Sequence, residues 1–484
     1  MQNIAMSDLA SSKASAGTSV ITVSYPLLFL QIVCFAILYA IWMLSGTIAL
    51  RNICIGLGAM ASIYPIYQAR HDFLRKAAIP VWLLIALFAW AIFHLLFLAQ
   101  DPVLQFEEFT SIWKRSFIGA IFALGFGISL SAAMNSSADS HSAASNHRIY
   151  WAACKVIAYI GLFTPTAIYL IKFGLATYGP QLGIVIPHSL QTYVGANSFY
   201  IPKTAYMCFC LPMFAVGLGL LYANISHEGW LSPLNLIYIL SIAGVLFVFN
   251  GENIKNGYVY ALLLVIIFIF CLLASQLKRH LLKKLFLIIL FCSASAFLLM
   301  AHVSKNESWR TFVADAKIAW QIDQYPQWKL SGQQGYPTNE QGTTVSVTNY
   351  ERIAWAKAGV GLIIKNPLGY GLVERSFGHF GARQWPGTTL TQSHSGWIDL
   401  TLGIGIPGLG LILSAIFMLL YRLSPFGAPI NSIAGGLWWA VLASLLMWCT
   451  TEISQKVYFD SLIFWLALGA GLTLRPYKPG SIVF

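Results

Sequence analysis

The chain has 484 residues, of which 57% are hydrophobic and 10% are charged, and its mean hydropathy is +0.69. A charged fraction so far below the roughly 25% of soluble domains excludes an ordinary soluble protein and predicts a helical membrane protein. The net charge of +12 does not indicate a nucleic-acid partner, because much of the excess lies in short segments between apolar runs.

The first apolar run follows a polar N-terminus, residues 1–18, that lacks the basic patch, apolar core and cleavage site of a signal peptide. We expect this segment to be a disordered cytoplasmic tail. The eight cysteines all lie in or beside apolar runs, so neither a disulfide framework nor a Cys/His metal cluster is predicted.

About twelve apolar runs predict an all-α polytopic membrane protein, since each run is near the ~20 residues that a bilayer requires. Nine runs fall within residues 19–302 and three within residues 396–475, and a short cytoplasmic tail, residues 476–484, follows them. Their centres lie near residues 35, 58, 88, 125, 162, 214, 240, 267, 292, 409, 442 and 465.

The distribution of basic residues predicts the orientation of these spans. If the spans alternate, the basic segments between them share one side with both termini, and the positive-inside tendency assigns that side to the cytoplasm. The long segment 303–395 then faces the periplasm of a bacterial inner (cytoplasmic) membrane. The segments on the basic side contain Arg75, Lys284, Arg422 and Arg475, and the exceptions to the rule are Arg51, Lys114 and Arg115.

The segment 303–395 is expected to form one large periplasmic loop that acts as a catalytic lid. Apolar residues recur at helical spacing over residues 309–320, which predicts an amphipathic helix on the bundle or membrane surface. A second helix is predicted over Tyr350–Ile364, ending before Pro367 because proline disfavours helix in the preceding residue. Gly369-Tyr370-Gly371 then supplies a flexible turn.

Several familiar chemical motifs are missing from the sequence. It has no phosphate-binding loop after a strand, no Gly-x-Ser-x-Gly elbow and no His-Glu-x-x-His zinc pair. It also has no Asp-x-Asp, the usual metal clamp for a nucleotide-sugar diphosphate. Group transfer by this chain is therefore expected to need neither a metal nor a cofactor, and to use a donor other than a nucleotide sugar.

Candidate functional residues lie where the loop meets the predicted spans. His394 closes the loop directly before an apolar run, and Lys255 begins another run. Arg310 and Arg352 lie in the loop helices. Guanidinium groups bind phosphoryl oxygens bidentately, ammonium neutralises a leaving group, and histidine suits general-base work near neutral pH. Taken singly, such a cation is more often a snorkelling anchor, and such a histidine is more often structural.

Taken together, these residues resemble a known family. His394-Ser395, followed by Gly405 and Gly408 further along the span, is similar to the closing motif of the O-antigen ligase and polymerase family. Arg352-Ile353-Ala354-Trp355 and the segment Asn366-Pro367-Leu368-Gly369-Tyr370-Gly371 resemble that family's arginine-headed helix and Asn-Pro-x-x-Gly-x-Gly turn. The detailed resemblance covers roughly residues 250–410.

The resemblance implies a periplasmic GT-C type enzyme that transfers a glycan from undecaprenyl pyrophosphate to an acceptor hydroxyl. His394 matches the family's essential histidine and Arg352 its loop arginine. Lys255 occupies the place where many members carry Ser-Arg-Gly, which keeps the charge but loses the bidentate fork. The resemblance thus implies a pyrophosphate site at Arg352 and Lys255, which Arg310 is expected to join, within reach of membrane lipids.

A ligase, whose acceptor is the lipid A-core oligosaccharide, is our preferred interpretation. A polymerase would use a second lipid-linked repeat unit, but the paired arginine signature of one polymerase group is missing. A glycan-to-protein O-oligosaccharyltransferase would usually carry a longer C-terminal extension. A lipid-linked oligosaccharide flippase or transporter is the alternative from another class, and would be expected to place ionisable residues inside its spans.

Overall fold

The computed structural model describes residues 24–139, 144–185, 200–227, 229, 232–274, 307–425, 432–451 and 456–475, with isolated positions between 285 and 304. Most of these residues are helical, and among them no strand is found, only one isolated bridge between Thr338 and Thr344. The predicted tails, residues 1–18 and 476–484, lie outside the described residues, as does most of the apolar run near residue 292.

Fifteen α-helices account for the described chain, and all but α4 and α10–α12 coincide with predicted apolar runs. They are α1 (Tyr25–Ile41), α2 (Ile48–Gln68), α3 (Ile79–Phe97), α4 (Pro102–Glu108), α5 (Lys114–Asp139), α6 (Ala144–Tyr178), α7 (Lys203–His227), α8 (Pro233–Gly251), α9 (Lys255–Ala274), α10 (Phe312–Trp320), α11 (Val347–Lys365), α12 (Ser376–Gln384), α13 (Gly396–Arg422), α14 (Ser432–Met447) and α15 (Lys456–Leu472).

The lengths of these helices fit a multi-pass membrane protein. Eight described helical segments are long and apolar enough to cross a bilayer, whereas α1, α14 and α15 have only 16 or 17 residues. The apolar helices of the first and last thirds of the chain agree with the predicted positions. A total of twelve spans stays a prediction.

The bundle is built around α7, because 89% of the residues in its 18-residue apolar stretch are buried. It packs against α14 on one side and α8 on the other. Elsewhere, α5 and α15 approach each other through glycines. A Cβ atom on Gly471 would lie 2.1 Å from the carbonyl oxygen of Leu124, and one on Gly127 would lie 2.3 Å from that of Leu468. Small residues at a helix crossing allow this backbone approach.

Three of the basic segments that were predicted to share one side, those of Arg75, Arg422 and Arg475, meet at one end of the bundle, and Lys284 lies outside the described residues. The Asp72 carboxylate forms ion pairs with Arg475 at 2.5 Å and with Arg75 at 3.1 Å. The guanidinium of Arg422 donates to the carbonyl of Lys76 at 2.6 Å. The loop and His394 lie at the opposite end of α13 from Arg422.

The loop is a folded unit organised by one buried carboxylate. Asp315, on α10, is fully buried, and it accepts hydrogen bonds from Asn339 at 2.9 Å, Asn349 at 3.0 Å and the Ser346 amide at 3.2 Å. The Thr311 hydroxyl adds a fourth at 2.7 Å. A buried charge that is hydrogen-bonded in this way can order the surrounding loop without remaining unsatisfied.

The structure confirms the second predicted loop helix and the helical conformation of the first. α11 begins three residues before the predicted Tyr350 and ends at Lys365, directly before Asn366. On α10 the inward residues are Ala314, Asp315 and Ala319, because small side chains let the helix pack closely on α11. The predicted apolar stripe faces outward, with Trp320 61% exposed, and its place on the membrane surface stays a prediction. The short helix α12 was not predicted.

A backbone kink interrupts α13 at Gly405, where φ is +72°, two residues before Pro407. Residues other than glycine rarely adopt this conformation, and the kink removes hydrogen bonds from the helix. The indole of Trp90, on α3, donates to the carbonyl of Ile404 at 2.7 Å. In an apolar bundle such freed carbonyls need partners, so α3 stabilises the kink.

The predicted flexible turn at Gly369-Tyr370-Gly371 is in fact buried against this kink. The amides of Tyr370 and Gly371 donate to the carbonyls of Leu402 and Gly403 at 2.7 Å and 2.8 Å. In return the Ile406 amide donates to the carbonyl of Pro367 at 2.8 Å. The turn therefore docks the end of α11 onto α13 and fixes the distance between the two helices that carry Arg352 and His394.

Candidate functional site

His394 lies at the apex of a tight turn that leads into α13. Its φ is +56°, a conformation that histidine rarely adopts. The turn is fixed on either side, because the Ser393 amide donates to Asp399 at 2.9 Å and Ser393 and Ser395 are linked to each other at 3.2 Å. The imidazole is half-buried at the outer end of the helix. Strain at a residue held so firmly is typical of functional positions.

The imidazole of His394 stacks on the indole of Trp355, which projects from α11. The ring centroids lie 5.1 Å apart with an interplanar angle of 21°. Trp355 is itself fixed, since its indole nitrogen donates to the carbonyl of Trp328 at 3.0 Å and its side chain is buried. Trp355 was predicted only as part of an apolar stripe, and the structure makes it the platform for His394.

A buried carboxylate, Glu351, lies one helical turn before Trp355. It is 9% exposed and accepts a hydrogen bond from the Tyr336 hydroxyl at 2.6 Å. Burial raises the pKa of Glu351, while the hydrogen bond from Tyr336 and the electrostatic interaction with His394 act in the opposite direction. Glu351 and His394 are thus neighbours, a relation that their separation of 43 residues in sequence concealed.

The two predicted cations Arg352 and Lys255 are brought together beside this group. Arg352 donates to the carbonyl of Thr450 at 3.3 Å, and Lys255 donates to the hydroxyl of Ser308 at 2.6 Å. The two side chains are close enough to interact electrostatically. Asn256, next to Lys255, donates to the same Thr450 carbonyl at 3.4 Å. The start of α9 and the first half of α11 therefore meet at one carbonyl.

The segment Thr450–Thr451, called the junction below, connects all three elements of the site. It follows α14, and its Thr451 carbonyl accepts from the Gly396 amide at 2.9 Å, at the start of α13. The Thr451 hydroxyl accepts from Asn256 at 3.1 Å, and the Thr450 amide donates to the hydroxyl of Tyr260 at 2.9 Å. The junction escaped the sequence analysis, because two threonines after an apolar run carry no chemical signature of their own.

Arg310 has an exposed side chain and lies two residues after Ser308, whose hydroxyl accepts a hydrogen bond from Lys255. Its part in the pyrophosphate site stays a prediction. Another cation, Lys203 at the start of α7, interacts electrostatically with Lys255 and with Glu252. Burial raises the pKa of Glu252, an effect that Lys203 and Lys172 oppose. The sequence alone gave Lys203 no role.

The arrangement combines a histidine on an aromatic platform with cations on the neighbouring helix ends. It can accept a proton and bind an anionic group, which are the two requirements for transfer from a pyrophosphate. Within the described ranges, no group of three or more His, Cys, Asp or Glu side chains is placed to hold a metal ion. Metal independence stays a prediction from the sequence.

Comparison with known proteins finds one matching family. Residues 255–413, about a third of the chain, match the sequence model of the O-antigen ligase family. The match confirms the resemblance that the motifs indicated, and the matched segment contains all four predicted site residues. The matched family suggests glycan transfer of the ligase or polymerase type. No curated protein matches the sequence significantly.

Proposed function

We propose that the protein is an O-antigen ligase of the bacterial inner membrane. It transfers a polysaccharide from undecaprenyl pyrophosphate to the lipid A-core oligosaccharide at the periplasmic face, with inversion and without a metal. The observation that supports this proposal best is that the junction is contacted by Arg352, by Asn256 next to Lys255, and by Gly396 two residues after His394. All three predicted residues lie inside the segment that matches the family.

The proposed reaction is a single displacement at the anomeric carbon. A sugar hydroxyl is a poor nucleophile near neutral pH, so its proton passes to His394 as the new glycosidic bond forms. The bond from the anomeric carbon to the pyrophosphate breaks on the opposite face, and the electron pair leaves with the pyrophosphate. Attack and departure on opposite faces invert the configuration, and no covalent glycosyl-enzyme forms.

Arg352 and Lys255 have complementary roles in this proposal. The planar guanidinium of Arg352 suits a bidentate contact with phosphoryl oxygens, and the ammonium of Lys255 neutralises the charge that develops on the leaving group. Both now donate to uncharged oxygens, of Thr450 and Ser308, so each can exchange its present partner for a phosphoryl oxygen.

Deletion of the gene in its native cell, followed by gel analysis of lipopolysaccharide, tests the proposal. A ligase is supported if all long chains disappear from lipid A-core while lipid-linked polymer accumulates. The wild-type gene should restore the chains, and the His394→Ala gene should not. Products with a single repeat unit would instead identify a polymerase, and an unchanged lipopolysaccharide would exclude both.

Metal independence is tested on the purified protein with the lipid-linked glycan that the deletion strain accumulates. Transfer to lipid A-core is expected to continue in excess chelator, because the proposed site relies on protein cations to stabilise the pyrophosphate. Activity that disappears with chelator and returns with magnesium or manganese would contradict this part of the proposal.

A further inference from the structure

Glu351 is a buried charge that the proposed mechanism does not yet use. Titratable groups face it from each segment packed on it: Tyr336 from the polar part of the loop, Tyr350 on α11 itself, and His394 from the turn before α13. Of these three groups, only His394 can carry a positive charge. Burying a carboxylate is unfavourable, so a residue whose sole task is to anchor Tyr336 would not need the charge.

The geometry of α11 sets Glu351 beside the imidazole. Residues four apart on a helix lie on the same face, so Glu351 and Trp355 are neighbours. Trp355 stacks on His394 at 5.1 Å and controls the plane of its ring, while the Glu351 carboxylate interacts with the ring electrostatically. The Tyr336 hydroxyl, 2.6 Å from the carboxylate, holds the carboxylate in place.

We propose that Glu351 is a positioning residue that orients the His394 imidazole and stabilises the imidazolium formed during transfer. This inference rests on the proposed function. When the acceptor hydroxyl attacks, its proton moves to His394, and the positive charge forms between the Trp355 ring and the Glu351 carboxylate. An indole face and a carboxylate both favour that charge. The pyrophosphate leaves from the opposite face with its electron pair, and the imidazolium then releases its proton to solvent, which returns His394 to its neutral form.

Replacing Glu351 by glutamine tests the effect of the negative charge separately from that of the hydrogen bond to Tyr336. A glutamine side-chain oxygen can still accept from Tyr336, so the local structure is preserved while the negative charge is lost. Glu351→Asp keeps the charge and moves it by one methylene. Glu340→Gln is the matched control, because Glu340 is an exposed carboxylate of the same loop that pairs with Lys317 at 2.8 Å.

The first measurement needs no substrate. Diethyl pyrocarbonate acylates a histidine side chain only when its imidazole is neutral. Mass spectrometry of the purified protein follows this reaction at His394 as a function of pH. In Glu351→Gln the pH midpoint of acylation should fall, because the imidazolium loses a nearby opposite charge. Glu351→Asp should retain most of the wild-type midpoint, and Glu340→Gln should retain all of it. An unchanged midpoint in Glu351→Gln would overturn the inference.

The second measurement is transfer of the accumulated lipid-linked glycan to lipid A-core. Glu351→Gln should lower kcat by about tenfold or more with little change in the KM for donor, and Glu351→Asp should recover part of the loss. A fall in kcat with an unmoved acylation midpoint would show a merely structural role and would overturn the inference. If the wild-type protein transfers no glycan, the proposed function fails, while the acylation result still decides whether Glu351 acts on His394.

A second variant keeps the test decisive if Glu351→Gln does not fold. Tyr336→Phe removes only the hydrogen bond to the carboxylate and leaves the ring in place. The carboxylate is then protonated more readily, so the acylation midpoint of His394 should move in the same direction as in Glu351→Gln, but by less. A shift in the opposite direction would contradict the inference.

Discussion

At the scale of single residues, the site is held in a conformation that costs stability. A histidine at φ +56° is less stable than in an ordinary conformation by an amount on the order of 1 kcal/mol. The Ser393 and Asp399 contacts and the Trp355 platform hold the strained turn in place. Such an arrangement makes sense if the direction of the imidazole matters for the reaction.

The cations are expected to differ in how strictly their chemistry is required. Arg352→Ala should lower transfer by about a hundredfold, and Arg352→Lys should recover only part, because a point charge replaces a bidentate fork. At Lys255 the reverse holds, and Lys255→Arg should be tolerated, since the family that the chain resembles often has arginine at this place. Steady-state transfer rates of the purified variants check both expectations.

A suitable control for these variants is Lys317→Ala, which removes an exposed cation whose ion pair with Glu340 contributes little. It should transfer at the wild-type rate. Full activity in both Arg352→Ala and Lys255→Ala would leave the pyrophosphate without an assigned site and contradict the proposed roles.

Glu351 is expected to lower the stability of the protein at neutral pH. Its pKa is raised in the folded state, so the folded state binds the proton more tightly than the unfolded state does. Stability should therefore rise as the pH falls through the raised pKa. Glu351→Gln should unfold at a Tm at least as high as that of the wild type at pH 7.5, and the difference should shrink at lower pH. Thermal unfolding in detergent at several pH values measures this, and a variant that is less stable at pH 7.5 would contradict it.

At the scale of elements, the sequence predicted where most helices begin and end but not how they pack against one another. The end of α11 before Pro367 follows from the backbone restriction that proline imposes, and the structure confirms it. The docking of the Gly369–Gly371 turn onto α13 could not be predicted, because it depends on carbonyls that only the kink at Gly405 sets free. A sequence pattern shows where the glycines are, but it does not show which backbone atoms pack against them.

The candidate site, too, could be predicted only in part from the sequence. The family resemblance selected His394, Arg352 and Lys255, since a single cation or histidine at a span end is more often an anchor or structural. Glu351 and the junction went unrecognised, because their importance comes from contacts with residues far away in sequence.

The close docking between the turn and α13 leads to a prediction for two glycines of the same helix. A Cβ atom on Gly403 would lie 2.1 Å from the carbonyl oxygen of Leu372, whereas one on Gly410 would meet nothing within 4 Å. Gly403→Ala should therefore force the turn away, destabilise the protein by about 1–3 kcal/mol and lower transfer. Gly410→Ala should be neutral or slightly stabilising. Thermal unfolding and transfer rates check the pair, and equal behaviour would contradict the docking role.

At the scale of the whole molecule, the basic residues described above and the candidate site lie at opposite ends of the helix bundle. Arg75 and Arg475 pair with Asp72, and Arg422 contacts the neighbouring Lys76, while His394 and the loop lie at the other end of α13. This separation agrees with the positive-inside interpretation of the sequence. If the basic end faces the cytoplasm, the proposed base lies on the side where a flipped lipid-linked donor would be presented.

Topology reporters test this orientation. A reporter inserted near Glu340 in the loop should report a periplasmic location, and reporters fused near Arg75 and Arg475 should report a cytoplasmic one. The reason is that the basic ends of the spans are retained in the cytoplasm. A cytoplasmic location for the loop would contradict the mechanism, because the donor would then be on the wrong leaflet.

The most direct test of the account is the activity of a folded protein without the imidazole of His394. Asparagine tolerates positive φ better than most residues, so His394→Asn should keep the turn, and His394→Ala provides a second variant. Both should insert normally, unfold near the wild-type Tm and bind the accumulated lipid-linked glycan. They should nevertheless transfer essentially none of it to lipid A-core at any pH between 5 and 9. Near-normal turnover by either folded variant would contradict the central claim that His394 accepts the proton of the acceptor hydroxyl.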